Sequence, residues 1–172
     1  MRKGSGPPPV LSGMFCLLLL LSPGPVAAQL GLGGQFSLNQ DLAEETTVGV
    51  GVRGQLQVPL TGLMVQGTLD FYDPDCGSDD CDVRDVGVNL LWSLPVPVLV
   101  KPYFGAGLAI VDLGGEGFGE GDTEYGINGL GGVMLTGGPF QRLRPFAEVK
   151  YQMISDFDDQ LVYSGGVLLY LF

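Results

Sequence analysis

The chain has 172 residues, 8 basic and 19 acidic side chains, no histidine and a formal net charge of −11, a balance that argues against nucleic acid as a partner. It is nevertheless 45% hydrophobic and carries 29 glycines, which excludes a charged, disordered chain. Beyond residue 28 no apolar run approaches the ~20 residues that a spanning helix needs, so the hydrophobicity must be carried by something else.

In chain order, Arg2 and Lys3 precede the apolar run "MFCLLLLLS", the breaker "PGP" and the small residues Val26-Ala27-Ala28. This is the pattern of a secretory signal peptide over residues 1–28, cleaved after Ala28; the apolar run is too short for an anchor. Cys16 follows the bulky Phe15 and is not set up as a lipoprotein site. Residues 29–172 are expected to form one domain. They keep all 19 acids but lose two bases, so the exported part is more acidic than the whole. Its two cysteines, Cys76 and Cys81, predict a small loop disulfide in an oxidising compartment.

Eight runs alternate with a period of two, near residues 30–39, 46–57, 62–72, 83–93, 100–112, 123–136, 142–153 and 162–172. In "TVGVGVRGQLQV" Val48, Val50, Val52, Leu56 and Val58 share one face, while Gly49, Gly51, Arg53, Gln55 and Gln57 share the other. "VKPYFGAGLAI" sets Phe104, Ala106, Leu108 and Ile110 against Lys101, Tyr103, Gly105 and Gly107. "RLRPFAEVKYQM" sets Leu143, Ala147, Val149, Tyr151 and Met153 against Arg144, Glu148, Lys150 and Gln152.

Alternation alone also fits a soluble sandwich or a lipocalin-like barrel with its apolar face inward. The polar face decides otherwise. It carries Arg53, Asp70, Asp85, Glu124, Glu148 and Lys150 amid glycines, which suits a narrow interior holding paired charges. Most runs reach the ~9–11 residues of a tilted membrane-crossing strand, so the oily face is expected to meet lipid. The connections point the same way. The first, third, fifth and seventh, read as "QDLAEE", "DPDCGSDDCD", "DLGGEGFGEGD" and "SDFDDQ", hold 15 of the 19 acids, whereas the second, fourth and sixth, around "PLTG", "LPVPV" and "GGPF", hold none. Alternating connections lie at opposite rims of an up-and-down barrel, with the tight turns expected on the periplasmic side. Trp92, Phe140, Tyr170 and Phe172 toward the turns, and Phe71, Tyr125, Tyr151 and Phe157 toward the loops, predict two interfacial girdles. The predicted fold is all-β: a single eight-stranded antiparallel up-and-down transmembrane β-barrel.

The final stretch "YSGGVLLYLF", with Leu168, Tyr170 and Phe172 at alternate positions, resembles the C-terminal strand of bacterial outer-membrane β-barrel proteins. "KPYFGAGLAI" and "RPFAEVKYQ" are similar to strands of the small OmpA/OmpX-like, eight-stranded group. The resemblance spans residues 30–172, with no peptidoglycan-binding domain after the barrel. It implies an outer-membrane location in a Gram-negative-type bacterium after export through the inner membrane. It also implies recognition of Leu168, Tyr170 and Phe172 by the barrel-assembly machinery, and contact with outer-membrane lipid and lipopolysaccharide.

Enzymes among small outer-membrane barrels rely on histidine, and this chain has none. Ser37, Ser93, Ser155 and Ser164 have no recognisable base at a partner spacing, so no enzymatic activity is expected. The densest cluster is Asp73, Asp75, Asp79, Asp80 and Asp82, hard oxygen ligands for Ca²⁺ or Mg²⁺ drawn together by a Cys76–Cys81 bridge. The segment begins like an EF-hand loop but lacks its remaining spacing and terminal Glu, and a solvated acidic rim is the reading preferred over a dedicated cation site. The expected role is a structural or surface-interaction barrel with acidic external loops. A narrow cation-preferring pore and a soluble, secreted calcium-binding β-domain are the alternatives.

Overall fold

A computed structural model describes residues 28–42, 45–73, 81–94, 96, 99–115, 122–155 and 159–171. Residues 1–27 of the expected leader, Asp75, Cys76, Asp79, Asp80, Phe157, Phe172 and the side chain of Cys81 lie outside what is described. The period-two segments form eight strands: β1 (Gln29–Leu42), β2 (Glu45–Gln57), β3 (Leu63–Tyr72), β4 (Cys81–Ser93), β5 (Val100–Gly115), β6 (Asp122–Leu135), β7 (Leu143–Ile154) and β8 (Gln160–Tyr170). Each is antiparallel to the next, and β1 pairs with β8 from Gly31↔Tyr170 to Gln40↔Leu161, so the sheet closes into a barrel. Closure leaves no sheet edge and satisfies the backbone within the ring.

Because each strand is antiparallel to the next in sequence, connections alternate between two ends. One end carries the turns 58–62, 94–99 and 136–142, and the opposite end carries the acidic connections. The first turn is tight: Thr61 Oγ1 accepts from Leu63 N and donates to the Val58 carbonyl. Leu60 and Gly62 adopt positive φ there, a conformation an L side chain such as Leu60 tolerates poorly.

The two faces divide sharply. Val48, Val50, Val52, Phe36, Val88, Leu90, Phe104, Leu108 and Ile127 are exposed on the outside, while Gln35, Arg53, Gln66, Asp70, Asp85, Asn89, Glu148, Lys150 and Gln152 are buried inside. Inward glycines make room for large side chains leaning over from the next strand. A Cβ on Gly49 would strike the Tyr72 ring, one on Gly51 the Asp70 carboxylate, one on Gly107 the Asn89 amide and one on Gly132 the Tyr103 phenol. This explains much of the glycine content: an eight-stranded lumen is only just wide enough for side chains, so a large residue needs a small one beside it.

Candidate functional site: the barrel interior and its two rims

Inward positions are stacked in layers. Toward the turns, Met64, Leu91, Tyr103, Leu130, Met134, Phe146, Leu168 and Tyr170 form an apolar cluster. Toward the loops a smaller one gathers Tyr72, Val83, Val111 and Ile154, beside the hydrogen-bonded pair Asn39 and Gln160. Charged groups lie between the two clusters.

The central ion pair joins strands that are not neighbours. Arg53 of β2 donates to both carboxylate oxygens of Glu148 on β7, at 3.0 and 2.8 Å. Both side chains are almost wholly buried. Glu148 also accepts from Tyr103 Oη of β5 at 2.9 Å and from Gln66 Nε2 of β3 at 3.1 Å. Arg53 in turn donates from Nε to Gln35 Oε1 and stacks over the Phe146 ring, 4.0 Å from its centroid. That stacking ties the charged layer to the apolar layer beneath it. A second ion pair crosses from Lys150 of β7 to Asp85 of β4 at 2.6 Å. Asp70 of β3 accepts from Gln35 of β1 at 2.7 and 2.8 Å and from Ser37 Oγ at 3.0 Å. Burying a charge is tolerable when it is paired and hydrogen-bonded, and donors from several strands meet these carboxylates, although Asp85 Oδ1 is left without a partner among the described residues.

The sequence reading placed Arg53, Asp70, Asp85, Glu124, Glu148 and Lys150 inside. Five of them are brought together in this layer. Glu124 has the inward register but sits near the loop end of β6, half-exposed and outside the ion pairs. Three of the four serines are tied down structurally: Ser37 and Ser164 bond to each other at 3.1 Å, and Ser93 donates to the Gly62 carbonyl, while Ser155 is exposed at the loop end. Ser37 also donates to Asp70 Oδ1 at 3.0 Å, which ties it into the buried hydrogen-bonded layer. Missed from the sequence were the amides Gln35, Gln66 and Asn89, which link the carboxylates; Asn89 donates to Gln66 at 2.7 Å. Their signal was present as an amide at an inward position in each of three strands.

The girdle reading needs one correction. Trp92 faces outward at the turn end, and Phe71, Tyr125 and Tyr151 face outward toward the loops, but Tyr170 is 3% exposed and lies inside the barrel. Leu168 is inside as well, so the outward residues of β8 at that end are Val167 and Leu169. The apolar layer across the turn end reverses the polarity expected of an inward position. Phe140 is half-buried within the third turn, bridged to Gly137.

Of the proposed cation ligands, Asp73 is exposed and Asp82 is engaged by Arg84 at 2.8 Å; Asp75, Asp79 and Asp80 lie outside the described residues. Among the described residues no three acids or cysteines are grouped to hold a metal. At the turn rim, Arg144 lies over the Tyr170 ring, 3.7 Å from its centroid, and caps the apolar layer.

No family model matches the sequence, and no curated protein matches it. Solved structures do. The crystal structure of Neisserial surface protein A (NspA) superposes with a TM-score of 0.61 at 17% identity, over 83% of this chain and 96% of that one. The N-terminal β-barrel domain of Pseudomonas aeruginosa OprF gives 0.53 at 13% identity, covering 84% and 99%. Ail, the attachment invasion locus protein of Yersinia pestis, gives 0.52 at 15% identity, covering 83% and 95%. Closed antiparallel order and strand number thus agree with these comparisons: the chain has the fold of the small eight-stranded outer-membrane β-barrels.

Proposed function

We propose that this protein is a non-enzymatic outer-membrane barrel that displays acidic loops at the cell surface as a structural or surface-interaction element. An apolar exterior on a ring with no free edge supports the membrane location, because that surface would aggregate in water. The observation that carries the role is the set of side chains crossing the lumen, from β2, β3, β4 and β5 to β7. Apolar layers on both sides of these bridges support a sealed scaffold over a narrow pore. The similar proteins NspA and Ail are named as a surface protein and as an attachment invasion locus protein, which agrees with display at a surface.

Detergent-folded protein reconstituted in planar bilayers should give no unitary conductance steps in concentrated KCl. Reproducible cation-selective steps would replace this reading with the pore.

The acidic rim is the part of the surface with the most chemistry. Carboxylates crowded beside anionic lipopolysaccharide repel it, and divalent cations would bridge loop to loop and loop to lipid. Asp73, Asp75, Asp79, Asp80 and Asp82 are the proposed ligands. Calorimetric titration with Ca²⁺ should show saturable heat that falls in an Asp79→Asn/Asp80→Asn variant. Equal heat in both proteins leaves the acids as a solvated rim.

A further inference from the structure

We propose that the turn-side mouth of the barrel is a phosphate-binding site that takes the headgroup of a membrane phospholipid. The lipid assignment rests on the membrane reading above, whereas the phosphate chemistry stands on the local geometry.

Charge is distributed along the barrel axis with unusual asymmetry. Three of the six bases in residues 29–172, namely Lys101, Arg142 and Arg144, gather at the turn end. The turns there carry no acidic side chain, and neither do the strand residues that flank them. The nearest carboxylate along β7, Glu148, is already committed to Arg53. The acidic connections are a strand length away. The shortest strand has 10 residues, roughly 33 Å at ~3.3 Å per residue, several times the ~8 Å Debye length at physiological ionic strength. The acidic rim therefore cannot neutralise this mouth.

Two of the three cations, Arg142 and Arg144, border real space. A cavity of about 490 Å³ is walled by Gln29, Gln141, Arg142, Arg144 and Tyr170. Arg144 is held rigidly: Nε donates to the Gln141 carbonyl at 3.1 Å, Nη1 to Gln57 Oε1 at 3.1 Å and Nη2 to Gln29 Oε1 at 3.3 Å. Stacking on Tyr170 fixes its plane. Three of its five N–H groups are used and two remain. Gln29, its oxygen taken by Arg144, is left with its amide NH₂ to donate. Arg142 is exposed and makes no ion pair among the described residues, while its carbonyl accepts from Tyr170 N at 2.7 Å and anchors its backbone. Two planar forks and an amide around one opening match an anion with oxygens pointing in several directions, which a flat carboxylate lacks.

The outer lip of the cavity selects the source. Leu171 lines it and is exposed on the apolar outside, next to outward-facing Leu169. A phospholipid can place its phosphate between Arg142 and Arg144 while its acyl chains descend over these leucines. Free phosphate would use only the first half of this arrangement.

The test uses the full barrel folded in uncharged detergent at low salt. It is titrated with inorganic phosphate, with short-chain phosphatidylglycerol below its micelle-forming concentration, and with a phosphate-free alkyl glucoside of equal chain length. The expected result is saturable binding of both phosphate ligands, tighter for the lipid, and none for the glucoside. Arg142→Gln should weaken lipid binding roughly tenfold or more, as loss of a charge-assisted bond implies, while Arg142→Lys restores part of it. Equal affinity for lipid and inorganic phosphate overturns the lipid assignment. Absence of binding, or binding unchanged in Arg142→Gln, overturns the site. Unboiled gel mobility of each sample reports the folded barrel separately, so failure of the site and failure of the barrel reading give different results.

Discussion

Single residues in this protein earn their place by what they neutralise. Arg53 and Glu148 form a bidentate pair at the centre of the lumen, with side chains about 1% and 3% exposed. Removing one partner strands the other charge in a low-dielectric space, which costs about 3–5 kcal/mol, whereas replacing both with apolar residues costs far less. Glu148→Leu and Arg53→Met should each lower the unfolding free energy of detergent-folded barrel, read from urea titration, by an amount in that range. The double variant should recover much of the loss, a coupling that a double-mutant cycle reads directly. Single and additive effects would mean that the pair contributes no more than its packing. The inward placement of both residues was legible from the alternation of "TVGVGVRGQLQV" and "RLRPFAEVKYQM". Their pairing was not, because β2 and β7 are distant in sequence and not adjacent in the sheet; only closure of the ring brings them face to face.

At the scale of strands, the spacing of glycine against bulk decides how pairs fit. Gly51 lies beneath the Asp70 carboxylate, while Gly67 faces outward with nothing close to where a Cβ would sit. Gly51→Val should therefore lower the yield of heat-modifiable, folded protein, and Gly67→Val should leave it unchanged or raise it, since valine favours strands and covers apolar exterior. Equal behaviour of the two would show that strand propensity outweighs the cradle. Strand positions were readable to within a few residues because polar and apolar positions alternate over most of each run. The last strand was the exception: in "GVLLYLF" both parities are apolar, so alternation could not say which side faces in, and Tyr170 was assigned to the wrong face. Its register against β1, Gly31↔Tyr170, settles the matter. The space over Gly31 is filled by the Tyr170 ring.

For the whole molecule the governing feature is its polarity along the axis, acids at one rim and bases at the other, with packed layers between. This predicts a single orientation in the outer membrane, loops outward. In a background carrying Cys76→Ser and Cys81→Ser, a membrane-impermeant maleimide applied to intact cells should label Ser155→Cys at the loop end and spare Thr61→Cys in the first turn. Both positions are exposed in the fold, so local burial cannot account for a difference. Labelling of Thr61→Cys alone would invert the topology. Acid segregation was fully visible in the sequence, since it needs only the order of the connections. The layering of the lumen was not, because it depends on which inward residues share a height, and that is a property of register.

The ring has one more consequence, for the way it is made. Each strand pairs its backbone only with the strand on either side, and Leu171 N donates to the Leu30 carbonyl at 2.9 Å, so the pairing of β1 with β8 differs from the other seven only in lacking a short covalent connection. Seven hairpins can form from chain segments that are close in sequence. The eighth contact, where Ser37 meets Ser164 and Asn39 meets Gln160, must find its partner across nearly the full length of the barrel. Closing so long a loop adds only a modest entropic cost, since that cost rises logarithmically with length. Its kinetic weight is greater, because until that contact forms β1 and β8 are both open edges facing lipid with unsatisfied backbone. The same closure that leaves the finished barrel without an edge makes every incomplete one a template for a foreign strand.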